Sequence, residues 1–199
     1  SLPTLAAPLI LGSESPSRAA VLAQTGFLFT QVAAHVDESD LKQRMAGHPP
    51  EAVALALANA KGAVVSAHYP DAIVIAADQL CVVDDQWLSK PMTADGAAQH
   101  LTRLANRSHH LINGMVLYRQ GTPLWESTQT CTLHMRALTD AEIRRYVQDD
   151  EPYFSCGGYK FESLGVHLFS TVDGTSDAIQ GLPLLSLLDA MRTHQLYRV

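Results

Sequence analysis

Cysteine is scarce and unpatterned. Cys81, Cys131 and Cys156 are the only three in 199 residues, far apart and without a CxxC or a Cys/His cluster, which argues against a disulfide framework and a zinc site. Cys81 in the run LCVV and Cys131 in TCTLHM read as small buried hydrophobes. Positive charge is also short: 14 Lys plus Arg face 20 Asp plus Glu, a formal charge of -6, with no basic run to track a phosphate backbone. A nucleic-acid partner is therefore not expected. No apolar stretch approaches the roughly 18 residues of a membrane span. The segment SLPTLAAPLIL lacks a basic region ahead of its apolar residues, so no membrane contact and a cytoplasmic location are expected. Internal repeats, low-complexity tracts and obvious linkers are missing as well.

What is present is ordinary for a folded chain: 47% hydrophobic and 17% charged residues, enough for a real core in one domain over residues 1–199. Residues 8–11 are a short apolar run closed by Gly12, a buried strand. Ser15 caps a following helix with Pro16 at its first position, and Gly26 stops it. Residues 27–36 read as a second strand. An alanine-rich helix spans Pro50–Tyr69, and DAIVIAAD is a continuous apolar strand of the kind covered on both faces. This alternation predicts an α/β fold with helices flanking the sheet. From Gln79, LCVVDDQWLSKP reads as a hairpin around Asp84 and Asp85. A helix from Thr93 to Leu104 follows, then two long antiparallel strands, 109–119 and 123–136, joined by a turn at 121–123. These strands place an outlying lobe within about 79–136. Thr139 and Glu142 form a capping box that opens a helix. A glycine-containing loop runs to about 163, followed by a strand GVHLFSTV and a leucine-rich helix after Pro183.

Several polar residues punctuate this scaffold. In GSESPSR, Ser13 and Ser15 lie at a helix start, where N–H groups and hydroxyls can seat an anion, and Arg18 adds a guanidinium fork for phosphate oxygens. A Ser-Pro start is equally the ordinary way to cap a helix. Asp78 lies at the carboxyl end of the apolar strand IVIAAD, where open α/β sheets bind ligands, and is placed for base catalysis or metal binding, or else is a turn or cap aspartate. Glu38, in the acidic stretch HVDESD, has a similar location. Lys61 on the long helix and Lys90 in SKP read singly as a solvated lysine and a turn residue. Taken together, a serine/arginine loop, two carboxylates and two lysines match the needs of polyphosphate cleavage: charge neutralisation, a water activator and an oriented phosphorus.

In order and spacing, the series GSESPSR, VDES, LANAKG, IAADQ, LSKP, HHLING, YVQDDEP, CGGYKFE and GLPL resembles the Maf family of nucleoside triphosphate pyrophosphatases, from about residue 8 to 190. The resemblance implies a Maf/ITPase-like mixed twisted sheet flanked by helices, a smaller antiparallel lobe and a deep cleft between. It also implies a homodimer, and hydrolysis of a nucleoside triphosphate to its monophosphate and pyrophosphate with Mg²⁺ or Mn²⁺. The family's proton acceptor falls on Asp78. Ser13, Ser15, Arg18, Lys61 and Lys90 fall on phosphate-binding positions, and Glu38 joins Asp78 at the metal.

Within the family, Gln79 in ADQ and Lys160 with Glu162 in YKFE resemble the branch acting on 7-methyl-GTP, whereas most members have ADT and a glutamine in the glycine loop and act on dTTP and UTP. The chemistry agrees. Guanine presents two donors on its pairing edge, which a carboxylate such as Glu162 accepts together. Uracil and thymine show an acceptor–donor–acceptor edge better met by an amide. Methylation at N7 adds a positive charge that a carboxylate favours further. Ser17 lines the same expected pocket where the family has an arginine or tryptophan. Asn113 stands where threonine usually precedes the glycine, and Cys156 where alanine is common. Glu162 has a second reading as a loop salt-bridge partner. The alternatives are a dTTP/UTP or other modified-nucleotide pyrophosphatase, and a nucleotide-binding regulator of septum formation, since Maf proteins are also associated with septum inhibition.

Overall fold

The computed structural model describes residues 3–199. In chain order the strands and α-helices are β1 (Thr4–Leu5), β2 (Leu9–Leu11), α1 (Pro16–Ala23), β3 (Thr30–Gln31), α2 (Glu38–Arg44), α3 (Pro50–His68), β4 (Ile73–Val83), β5 (Gln86–Leu88), α4 (Ala94–Leu104), β6 (Arg107–Arg119), β7 (Thr122–Met135), α5 (Asp140–Asp150), β8 (Phe169–Asp173), α6 (Ser176–Ile179), α7 (Leu184–Thr193) and β9 (Tyr197–Arg198). Seven strands form one mixed sheet in the order β3-β2-β4-β6-β7-β8 with β5 on β4, while β1 and β9 make a separate antiparallel pair. None of the described helices is long and apolar enough to cross a membrane.

The chain divides into two compact units. The first takes residues up to Asp78, Asn113–Gln129 and Gly181–Val199, and the second Gln79–Ile112 and Thr130–Gln180. In the first, β2 pairs in parallel with β3 and with β4, in the register Leu9↔Ile73, Ile10↔Val74 and Leu11↔Ile75. Successive strand residues point to opposite faces. Leu9, Leu11, Ile73, Ile75, Ala77, Met115 and Leu117 accordingly meet Val21 and Leu22 of α1 and Leu187 and Met191 of α7. Ile10, Val74, Ala76, Val116 and Tyr118 meet Ala58 and Val65 of α3. Burial on both faces is why IVIAA is apolar without alternation.

Helix α3 lies very close to the strands. A Cβ built on Gly114 of β6 would stand 2.5 Å from the carbonyl carbon and oxygen of Ala54, and one on Gly62 of α3 would stand 2.7 Å from the Tyr118 ring. Only residues without side chains let helix and strand approach this far.

In the second unit, β4 pairs antiparallel with β5, turning at Asp84 and Asp85 in the left-handed region, and β7 pairs antiparallel with β8. The sheet here buries Cys81, Val83, Leu111, Cys131, Leu133 and Met135 under Leu101 and Leu104 of α4 and Ile143 and Val147 of α5. Both of these cysteines are fully buried, as free thiols. A hydrogen bond with the Cys156 thiol, and then burial, push the Cys81 thiol up.

Four expectations are corrected. The strand expected over 27–36 is only Thr30–Gln31, because its partner β2 has just three residues and ends at Leu11. Glu38 does not follow a strand but opens α2, which Asp37 caps by accepting the Asp40 N–H at 3.0 Å. Residues Leu164–Leu168 form a 3₁₀ turn and the strand begins only at Phe169, opposite Met135, where β7 itself ends. Asp78 is not at a strand end: β4 runs on to Val83, placing it mid-strand.

Two predictions follow from this packing. Gly114→Ala pushes a methyl into the α3 backbone, and urea unfolding should show a loss of about 3 kcal/mol; a loss under about 0.5 kcal/mol would contradict the close contact. His109 is 1% exposed, with Nε2 2.7 Å from the Tyr159 hydroxyl. Burial first, and the neighbouring His110 second, hold its pKa down to about 4. Because the unfolded imidazole binds its proton near pH 6.5, stability from the neutral His109 is complete above that pH and drains away as pH falls toward 4. Urea midpoints measured across that window should fall less steeply with acid in His109→Asn than in the parent chain.

Candidate active site

The loop GSESPSR joins β2 to α1, and its hydroxyls are already at work within it. Ser13 Oγ accepts the Ser15 N–H at 3.1 Å, and Ser15 Oγ accepts the Arg18 N–H at 3.2 Å as the N-cap of α1. Pro16 has no N–H to give. The helix start therefore has fewer backbone N–H groups left over than the sequence suggested, while each serine hydroxyl, accepting one bond, keeps its own proton to donate. Arg18 Nε donates to the Gly181 carbonyl at 3.0 Å, which fixes the guanidinium plane. Ser17, half-buried, occupies the first turn of the same helix.

The strongest feature lies on the other side of β2. Asp78 shares a face of β4 with Val74 and Ala76, the α3 side, and is only 7% exposed. From α3, the Lys61 ammonium reaches Asp78 Oδ1 at 2.6 Å and Glu38 Oε1 at 3.2 Å. The lysine and aspartate side chains are 14% and 10% exposed, that of Glu38 47%. Two carboxylates and one ammonium leave a net negative charge at a nearly buried place, where an unpaired carboxylate would be costly. The sequence pairs Glu38 with Asp78 at an expected metal and sets Lys61 among phosphate-binding positions; the structure brings the three into one cluster. It also shows that Lys61 is engaged by carboxylates here rather than standing alone as a phosphate seat.

The remaining candidates belong to the second unit. Gln79, next to Asp78 but on the opposite face of β4, donates its amide to the carbonyls of Ile179 at 3.0 Å and Ala178 at 3.3 Å. Lys90 is exposed in the loop after β5, where the Met92 N–H binds the Tyr153 carbonyl at 2.7 Å. Glu162 is exposed within a tight turn whose Ser163 N–H donates to the Lys160 carbonyl at 3.1 Å.

Residues 8–194 match the family described as Maf-like protein. The chain belongs to the Maf family. Among relatives of this Maf-family protein, the nucleoside triphosphate pyrophosphatases of Legionella pneumophila (strain Paris), Sphingopyxis alaskensis and Rhodospirillum rubrum are 36%, 41% and 38% identical to it. The matches cover 92%, 92% and 96% of this chain and 92%, 96% and 96% of the relatives.

A divalent metal is part of what such a family implies, and the Lys61 cluster tests the fit. Glu38 and Asp78 both direct oxygens at one point of positive charge, and hard oxygen donors with a surplus negative charge suit Mg²⁺ or Mn²⁺. No group of three or more His, Cys, Asp or Glu among the described residues converges as a metal site. The protein's share would thus be one or two carboxylates, the usual arrangement where a phosphate substrate and water complete the shell.

The missed elements had partial signals. Asp37 followed by acidic residues in a first turn and by Lys42 and Arg44 in a last turn marks α2, but the acidic run masked it.

Removing the cation from the buried carboxylate should be costly. Lys61→Met is expected to lower the urea-derived stability by about 3 kcal/mol, and adding Asp78→Leu should recover most of that loss. Simple additivity of the two changes would contradict the pairing.

Proposed function

We propose that this Maf-family protein hydrolyses a nucleoside triphosphate to its monophosphate and pyrophosphate, with 7-methyl-GTP as the preferred substrate. The reaction class is supported by family membership and by relatives named for that activity over nearly their whole length. The observation that carries the mechanism is the Lys61 ammonium held between Asp78 and Glu38.

In this reading Asp78 is the general base. Lys61 engages Oδ1 at 2.6 Å and so fixes the carboxylate, leaving Oδ2 to take a proton from water as its oxygen attacks the α-phosphorus. The bond from that phosphorus to the bridging oxygen breaks, and pyrophosphate departs. Glu38 and Asp78 would hold a divalent ion, which when bound neutralises phosphate charge. Ser13 and Ser15 donate hydroxyl hydrogens to phosphate oxygens, while Arg18, Lys61 and Lys90 offset the charge on the leaving group. Base selection falls to Gln79 and Glu162, and Ser17 is assigned to substrate specificity as well. The Gln79 amide donates to two carbonyls, which holds its side chain in one place for base selection. Glu162 accepts the N1–H and exocyclic amine together and favours the cationic methylated ring.

The test is a nucleotide panel of GTP, 7-methyl-GTP, dTTP and UTP assayed with Mn²⁺ and again with excess EDTA. Turnover should be greatest on 7-methyl-GTP and vanish with EDTA. Asp78→Asn should lose at least about a hundredfold in kcat with little change in fold. Unchanged turnover in that variant would overturn the assignment, and a pyrimidine preference would overturn the choice of base. Tight nucleotide binding without turnover would instead favour a nucleotide-sensing role.

A further inference from the structure

Helix α5 carries a buried polar pair that the reaction just described does not use. Tyr146 and Asp150 lie one turn apart on its inner face, 7% and 8% exposed, the i and i+4 spacing that stacks side chains. The Tyr146 hydroxyl donates to Asp150 Oδ2 at 2.7 Å and accepts the Lys160 N–H at 2.8 Å. The other carboxylate oxygen, Oδ1, accepts the Ser163 hydroxyl at 2.7 Å. Burial, followed by several smaller influences that include the Asp150 and Glu162 carboxylates, pushes the Tyr146 phenol above its ordinary value, so it stays protonated and remains the donor.

The far ends of this network are the two ends of one turn. Lys160 and Ser163 enclose Phe161 and Glu162, and the Lys160 carbonyl accepts N–H groups from both Ser163 at 3.1 Å and Gly165 at 3.0 Å. Gly165 is so near that a Cβ there would clash with the same oxygen. Phe161 anchors the turn further against Phe169, ring centres 5.6 Å apart. Glu162, exposed, is the residue this gripped turn presents outward. A buried carboxylate with two satisfied oxygens is an expensive way to hold a surface turn unless the position of that turn matters.

We propose that Asp150 is a positioning residue for substrate selection, fixing both ends of the 160–163 turn through Tyr146 and Ser163 and thereby placing the Glu162 carboxylate against the nucleobase. This rests on the reading of Glu162 as a base-selecting group. Asp150 itself touches no substrate in this scheme, and the water-activating Asp78 sits on a different element. Loosening the turn therefore affects which base is accepted and how tightly, not the rate of the chemical step.

The experiment measures kcat and KM over the same four nucleotides with Mn²⁺ for the full chain and its Asp150→Asn, Ser163→Ala, Ser163→Thr and Glu162→Gln variants. Selectivity is the ratio of kcat/KM between the best and worst nucleotide. Asp150→Asn and Ser163→Ala should each compress it by about tenfold, the scale of one hydrogen bond to a charged group, mainly through KM. Ser163→Thr, which keeps the hydroxyl, should restore it. Should Asp150→Asn fail to fold, Ser163→Ala still cuts one anchor while leaving the Tyr146–Asp150 pair intact. Equal losses on all four nucleotides, or an unchanged ratio in both variants while Glu162→Gln shifts it, overturn the positioning role and leave the base reading standing. If Glu162→Gln also leaves the ratio untouched, the base reading fails and the proposal falls with it.

Discussion

The distance between α3 and the sheet governs the chemistry of the first unit. Lys61 is adjacent in sequence to Gly62, and Gly62 is the residue whose missing side chain lets α3 settle onto Val116 and Tyr118. Gly114 does the same from the strand side, under the Ala54 backbone. With the helix axis held this close, a lysine side chain of ordinary length delivers its ammonium to a carboxylate in the middle of β4, at 2.6 Å and nearly out of solvent. A bulkier contact would lift the helix and leave Asp78 buried without a cation, which the low-dielectric interior does not tolerate. Packing and electrostatics are thus one constraint: the small residues of α3 and β6 exist where the ion pair requires them.

That arrangement also explains the position of Glu38. It is the most exposed of the three charged groups, at the first turn of a short helix capped by Asp37, so it can move more readily than Asp78. A buried carboxylate and a half-exposed one are thus bridged by a single ammonium. The second unit repeats the principle with different parts. There, a buried Tyr–Asp pair on α5 uses hydrogen bonds rather than an ion pair to hold both ends of the turn that bears Glu162.

Much of this was legible in the residues. The unbroken apolar run of β4 announced a strand covered on both faces, Thr139 with Glu142 announced α5, and both hydrogen bonds of that capping box are present. The hairpin at Asp84 and Asp85 and the pair of long strands were equally plain, although the second turn falls at Gln120 and Gly121, one residue earlier than GTP suggested. Where local reading failed, a partner's length decided the outcome. Residues 27–36 have strand-like composition, yet a three-residue β2 can pair with only two of them. Asp78 reads as the end of a strand because a charge follows an apolar run, but β5 continues the pairing through Val83, and α3 supplies the charge that lets an aspartate stay inside.

By itself the sequence determined the residue types of the site and the alternation of strands and helices, because periodicity, caps and turn residues act over a few neighbours. Ordered short motifs also carried the resemblance to the family. Only the tertiary structure decided that Lys61, Asp78 and Glu38 form one cluster and that Asp150 grips the turn bearing Glu162. Those facts depend on distances between residues 13 to 40 positions apart or on which face of a strand meets which helix, and side-chain reach of a few ångströms is fixed by packing rather than by spacing along the chain.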